Sequence, residues 1–219
     1  MKKNPMRQRQ WYTFKRNRRG YFSLWLFCIL FFFSLPAEFI ANDKPLLVKF
    51  QNQYYFPILV GYPETVFGGD FDTETDYRDA FIQQKINESG WMIWPIIRYR
   101  YDTINYDLTQ PSPSPPTGEN WLGTDDQGRD VLSRLIYGFR ISVLFGLFLT
   151  IGSSIVGILF GALQGYYGGK VDLFSQRLIE IWSSLPELFI LIILASLITP
   201  SFGWLLLITL LFSWGTLTS

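Results

Sequence analysis

The sequence predicts a mainly α-helical membrane protein with a small mixed α/β extracytoplasmic insertion after its first helix. Three observations carry this. Residues 141–169 contain no charged side chain, and a bilayer core of about 30 Å needs about 20 apolar helical residues to cross it. Residues 20–37 and 188–219 are also uncharged. The charge is lopsided: the first 20 residues hold eight bases and no acid, whereas residues 38–130 hold 15 acids against seven bases. Basic segments stay on the cytoplasmic side, so the N-terminus is expected inside and the acidic segment outside.

Composition narrows the chemistry. The chain is 48% hydrophobic, has no histidine, and its one cysteine, Cys28, sits inside an apolar run. A disulfide framework and a Cys/His metal site are excluded. So are the commonest general base and every Ser-His or Cys-His nucleophile pair. No enzymatic activity, cofactor, catalytic residue or bound metal is expected. The basic arm runs straight into an apolar stretch, which suits membrane topology better than nucleic-acid binding.

Residues 1–20 form the basic cytoplasmic N-terminus and 21–41 a first transmembrane helix, built from Leu24, Trp25, Leu26, Phe27, Ile29, Leu30 and Phe31 to Phe33. A cleavable signal peptide is the alternative, and Arg18-Arg19-Gly20-Tyr21-Phe22 loosely resembles a twin-arginine signal. The bulky aromatics and the want of a small-x-small cleavage site favour the span.

Residues 42–120 read as an extracytoplasmic loop domain. Leu46 to Phe50 and Tyr54 to Ile58 flank Gln51-Asn52-Gln53 as a hairpin. Tyr77 to Asn87 suits a short helix stopped before Gly90, and Ile97, Tyr99 and Tyr101 alternate with arginines like a strand. The aromatics, Trp91 and Trp94 included, fit a compact core better than a ligand surface. Asp70-x-Asp72-x-Glu74-x-Asp76 lacks the glycine and glutamate that a calcium loop needs at Thr75 and Phe81, so it reads as a solvated acidic loop. Pro111 to Pro116 is a stiff connector that ends the domain.

Residues 121–140 form an amphipathic interfacial lead-in, with a capping box predicted at Thr124 and Gln127. Transmembrane helix 2 follows at 141–167. Within it Ser153, Gly157, Gly161 and Gly165 recur every four residues, a ridge that lets another helix approach closely. A cytoplasmic turn occupies 168–178, and transmembrane helices 3 and 4 occupy 179–199 and 202–219. Two readings stand for Glu187. If its helix starts near Ile179, the acid is buried and, with Ser183, marks a transport pathway; if the helix starts later, Glu187 sits at the interface. Pro186 is expected to kink this helix.

Several motifs resemble a known family. Trp121-Leu122-Gly123-Thr124-Asp125, Gly128-Arg129-Asp130-Val131-Leu132-Ser133-Arg134, Tyr137-Gly138-x-Arg140 and Gly165-Tyr166-Tyr167-Gly168-Gly169-Lys170-Val171-Asp172 look like the signature of the second permease subunit of peptide- and nickel-type ABC importers. Arg18-Arg19-Gly20-Tyr21 and Ala41 to Leu47 are similar to a subgroup associated with oligopeptide and microcin C uptake. The resemblance implies a six-helix inner-membrane subunit, of which about four helices are present here. It also implies a second permease subunit, cytoplasmic ATP-binding subunits and a periplasmic solute-binding protein as partners. Gly123, Thr124, Asp125, Gly128, Arg129, Asp130, Arg134, Gly168, Gly169 and Asp172 are its signature positions. The family's ATPase-docking loop would follow the fourth span, so the sequence looks C-terminally truncated and is expected not to couple ATP hydrolysis alone. The runner-up is a membrane-anchored extracytoplasmic binding or scaffold protein; a secreted enzyme behind a signal peptide is disfavoured by the later spans.

Overall fold

The computed structural model describes residues 5–199 and 201–217; Lys2, Lys3, Pro200 and the last two residues, to which parts of the topology reading refer, lie outside them. The chain divides into two compact units, Met1–Arg140 and Ile141–Ser219.

The first unit begins with helices α1 (Pro5–Arg16) and α2 (Arg18–Ser34). Asn17 separates them, and its side-chain oxygen accepts from the Gly20 amide at 3.3 Å, capping α2. The predicted helix 21–41 is not continuous. It ends at Ser34, turns through Leu35-Pro36, and resumes as the short α3 (Ala37–Ile40). Ala37 and Ala41 are fully buried against Ile97, Tyr99 and Tyr137, so this end of the segment belongs to a protein core rather than to lipid.

A three-stranded antiparallel sheet follows, in the order β2-β1-β3, from β1 (Leu47–Phe50), β2 (Gln53–Tyr55) and β3 (Trp91–Ile93). Val48 pairs with Tyr55 on one side and Met92 on the other. The predicted hairpin is present with a shorter second strand. Its turn residues Gln51 and Asn52 both have positive φ, 47° and 64°, the conformation whose twist matches paired strands. Helix α4 (Ala80–Ser89) starts three residues later than predicted, because the Asp79 carboxylate accepts from the Phe81 and Ile82 amides and sets the start. It stops before Gly90 as expected.

Val48, Phe50, Phe67, Tyr77, Ile82 and Ile86 make the main core. Phe67 meets Phe50, Tyr55 and Tyr77 edge-on at 5.2–5.6 Å, the arrangement ring quadrupoles favour. Much of the insertion's aromatic content is thus core. Ile97 and Tyr99 are buried and Arg98 exposed, so the predicted alternation of faces holds. The predicted strand does not form: apart from a single bridge from Ala41 to Ile97, the segment is held by side chains. In the acidic run, Glu74 pairs with Lys44 and Asp72 accepts from the Thr65 hydroxyl; no metal-competent cluster occurs among the described residues.

Helix α5 (Val131–Tyr167) has 37 residues, about 55 Å at 1.5 Å per residue, well beyond a bilayer's apolar thickness. Among the described residues it is the one helix long and apolar enough to cross a membrane by itself. In the second unit it is followed by α6 (Gly169–Ser183), α7 (Glu187–Leu197) and α8 (Phe202–Ser213). The helix predicted at 179–199 is instead this α6–α7 pair, bent by 62° at a break that ends at Pro186, whose ring cannot continue the helical ladder. Much of the predicted turn at 168–178 is already helical. Helix α8 lies along α5 in the same direction. The Phe202 ring meets Phe145 and Phe148, Leu210 sits against Gly152, and Trp214 meets Phe160. Trp182 of α6 stacks on Phe212 and donates its indole N–H to the Leu211 carbonyl at 2.8 Å.

Candidate functional site

The signature residues before and at the start of α5 converge on a buckle of polar contacts. The predicted capping box at Thr124 and Gln127 does not form. Gly128 has φ +79°, which no right-handed helix accommodates, so the helix is delayed to Val131. Asp130 does the capping: its carboxylate accepts from the Ser133 amide at 2.7 Å. The other Asp130 oxygen accepts from Asn120 Nδ2 at 2.9 Å, and Asn120 Oδ1 accepts from Asn105 Nδ2 at 2.9 Å. Ser133 donates its hydroxyl to the Tyr99 carbonyl at 2.8 Å. Asn120, Asp130 and Ser133 are completely buried, so each bond replaces one that water would otherwise supply.

A second layer closes the preceding loop. Asp125 accepts from the Gln127 and Arg129 amides, each at 2.9 Å, and from Arg129 Nε at 2.8 Å. Arg134 also pairs with it. Burial works against the Asp125 charge, but the Arg129 amide and guanidinium and the Gln127 amide outweigh it, holding the carboxyl at about 2 against its ordinary 3.8. Gly123, at φ +74°, admits no side chain: an added Cβ would lie 2.4 Å from the Ser114 carbonyl oxygen. Thr124 accepts from the Ser114 amide at 3.0 Å, and Ser114 is buried. The proline-rich stretch is thus packed against the signature loop rather than being a free connector.

Further along α5, Tyr137 donates to the Ala41 carbonyl at 2.9 Å. Arg140 grips Glu38 through two 2.8 Å bonds and reaches the Leu35 carbonyl at 3.0 Å. Periodicity gave no hint of these pairings, which span about a hundred residues.

The other predicted residues do not join the buckle. Ser153 and Gly157 are buried, Gly161 is half-buried and Gly165 exposed, with nothing near it. The small-residue ridge is therefore covered at one end and open at the other. Gly152, just off the ridge, lies close against Leu210 of α8. Gly168 and Gly169, with φ of +55° and +53°, break α5 from α6. Asp172 accepts from Gln176 in the first turn of α6 at 3.1 Å. Exposed Ser183 and half-buried Glu187 flank the break between α6 and α7.

The buckle has no exposed nucleophile and its carboxylates are engaged, so it is a fastening rather than a reaction centre. The chain is 54% identical over 214 residues, 98% of its length, to the inner membrane ABC transporter permease protein YejE of Escherichia coli (strain K12). Along nearly its whole length the chain is thus similar to an inner-membrane ABC transporter permease. It is also 52% identical over 235 residues to the peptidoglycan transport system permease protein YejE of Agrobacterium fabrum, covering 96% of the chain. A shorter match, 33% over 114 residues and 52% of the chain, joins it to the dipeptide transport system permease protein DppC of Bacillus subtilis, of which it covers 35%. The chain spans 63% and 61% of the lengths of the two YejE relatives. No family model matches it.

Proposed function

We propose that this chain is the translocation part of a multi-pass permease subunit that carries oligopeptides or peptide-like compounds, such as microcin C, into the bacterial cytoplasm. The observation that carries the reading is similarity at about half of all positions, along nearly the whole chain, to permeases whose names describe ABC or peptidoglycan transport. The partners are a second permease, cytoplasmic ATP-binding subunits and a periplasmic solute-binding protein.

The topology follows from charge and helix direction. The basic N-terminus stays inside and α2 runs outward to the acidic insertion. Helix α5 returns inward. Because α8 runs parallel to α5, an odd number of crossings must separate them, and the bent α6–α7 pair supplies one. This makes four spans in the described chain, within a six-span subunit. The buckle then stands at the outer mouth, where it transmits a push on the outer domain to the head of α5. Ser183 and Glu187, at the break in the third span, border the path, as interrupted membrane helices do in other transporters.

The test is a chimera in which these residues replace the matching region of the Escherichia coli relative. In cells lacking that relative, the chimera should restore uptake of a labelled tripeptide. A chimera that reaches the membrane yet restores nothing, while the intact relative does, overturns the proposal. It would favour the alternative of a membrane-anchored binding or scaffold protein. A reporter fused after Lys170 should read as cytoplasmic.

A further inference from the structure

We infer that the outer domain carries a binding groove for the free carboxylate end of a short peptide, an inference that rests on the peptide-importer reading above. A groove of about 830 Å³ opens on the insertion, within the range of about 300–1,000 Å³ typical of small-ligand sites. Arg78 and Arg98 line it, and neither forms an ion pair among the described residues. Each guanidinium rests on a ring of the same groove, Arg78 on Tyr99 at 4.2 Å and Arg98 on Trp94 at 5.5 Å. Such stacking fixes a guanidinium while leaving its N–H edge free for a planar anion. Arg78 Nη1 is buried with no acceptor, an unmet donor that favours an incoming acceptor.

The remaining lining suits the rest of a peptide. Asp107 and Glu119 supply negative charge for an ammonium group, and Trp94 and Trp121 supply apolar surface. Glu119 is held in place by the Tyr99 hydroxyl, which donates to it at 3.0 Å. Burial pushes the Tyr99 hydroxyl pKa upward, keeping it a donor. A lone anion would be repelled by the two acids and a lone cation by the two arginines; a zwitterionic chain satisfies both. Asn120, completely buried, lies behind the groove wall and bonds Asp130 at the start of α5, so the groove backs onto the buckle.

The experiment is calorimetric titration of the whole chain in nanodiscs with tri-alanine, its C-terminal amide, and its N-acetyl form. The acid should bind at least tenfold more tightly than the amide. R98Q should lose at least tenfold for the acid and little for the amide. Arg98 is exposed, so this variant should fold; R78Q is the second, stronger lesion. R177Q, on α6, should bind as the parent does. Equal binding of acid and amide, or no binding by a folded chain, overturns the groove. Uptake by the chimera is scored separately. Uptake without carboxylate-dependent binding refutes the groove and leaves the permease reading standing. Carboxylate-dependent binding without uptake supports the groove and counts against the permease reading.

Discussion

Replacing Asp130 with alanine should loosen the junction between the insertion and α5 more than any other single change there. The carboxylate accepts from the Ser133 amide and from Asn120 Nδ2, at 2.7 and 2.9 Å, and all three residues are completely buried. Alanine would orphan both donors, at about 1–3 kcal/mol each. Part of this is offset because a buried charge no longer has to be kept from water. A net loss of about 3 kcal/mol follows, the Ser133 bond being also the helix cap and counted once. Hydrogen exchange of the intact chain in nanodiscs is the direct assay. A 3 kcal/mol drop in opening free energy speeds exchange about 150-fold at a factor of ten per 1.4 kcal/mol. The acceleration should appear at residues 131–136 and spread to 120–124 through Asn120. Exposed Asp126, replaced by alanine, should change the same amides less than threefold. If D130A left Ser133 exchange within threefold of the parent, the buckle would not be what holds the helix start.

Three further outcomes are expected. Asp125, with its carboxyl held at about 2 rather than 3.8, binds fewer protons folded than unfolded between those values. Its contribution is therefore complete above pH 3.8 and fades as pH falls toward 2; Trp121 fluorescence should follow that window, and D125N should abolish it. Gly123→Ala should destabilise the loop by at least about 2 kcal/mol, combining a left-handed φ with the close approach of Ser114, read as faster exchange at Thr124. Gly152→Leu should drive α8 away from α5, since even a Cβ there lies 2.9 Å from Leu210; a cysteine crosslink from position 145 to 202 should form at least fivefold more slowly.

What the sequence made legible was local. The hairpin could be read because residues with left-handed tolerance separate two apolar runs. The stop of α4 could be read because Gly90 follows a helical pattern. The membrane helix was visible because no charge interrupts residues 141–169. Elsewhere one local signal competed with another. Thr124 and Gln127 have the spacing of a capping box, but Gly128, folded at positive φ, forbids the first turn and passes the role to Asp130. Leu35 and Pro36 sit in an apolar run that seemed to continue a span, yet Ala37 and Ala41 are wanted by a core that includes Ile97 and Tyr137. Pairings such as Tyr137 with Ala41 and Arg140 with Glu38 have no periodic signature at all. The conjunction of Asp125, Arg129, Asp130 and Arg134 in a short stretch entered the sequence reading only as signature positions of the resemblance; that they fasten a non-local joint was not legible.

That conjunction also explains why a permease would keep so many charged residues beside a membrane helix. A helix with 27 uncharged residues beyond Arg140 is stable in lipid without them, so span stability is not their task. An insertion joined only by a flexible strand could tilt without moving the helix it precedes. Here the joint has no slack: Asp130 caps α5 and is bonded to Asn120, Ser133 is bonded to the Tyr99 carbonyl, Tyr137 to Ala41, and Arg140 to Glu38 and Leu35. These contacts lie at successive turns of α5, spaced three or four residues apart, and so resist rotation as well as withdrawal. A displacement of the insertion would therefore strain the head of α5, residues 131–140, directly.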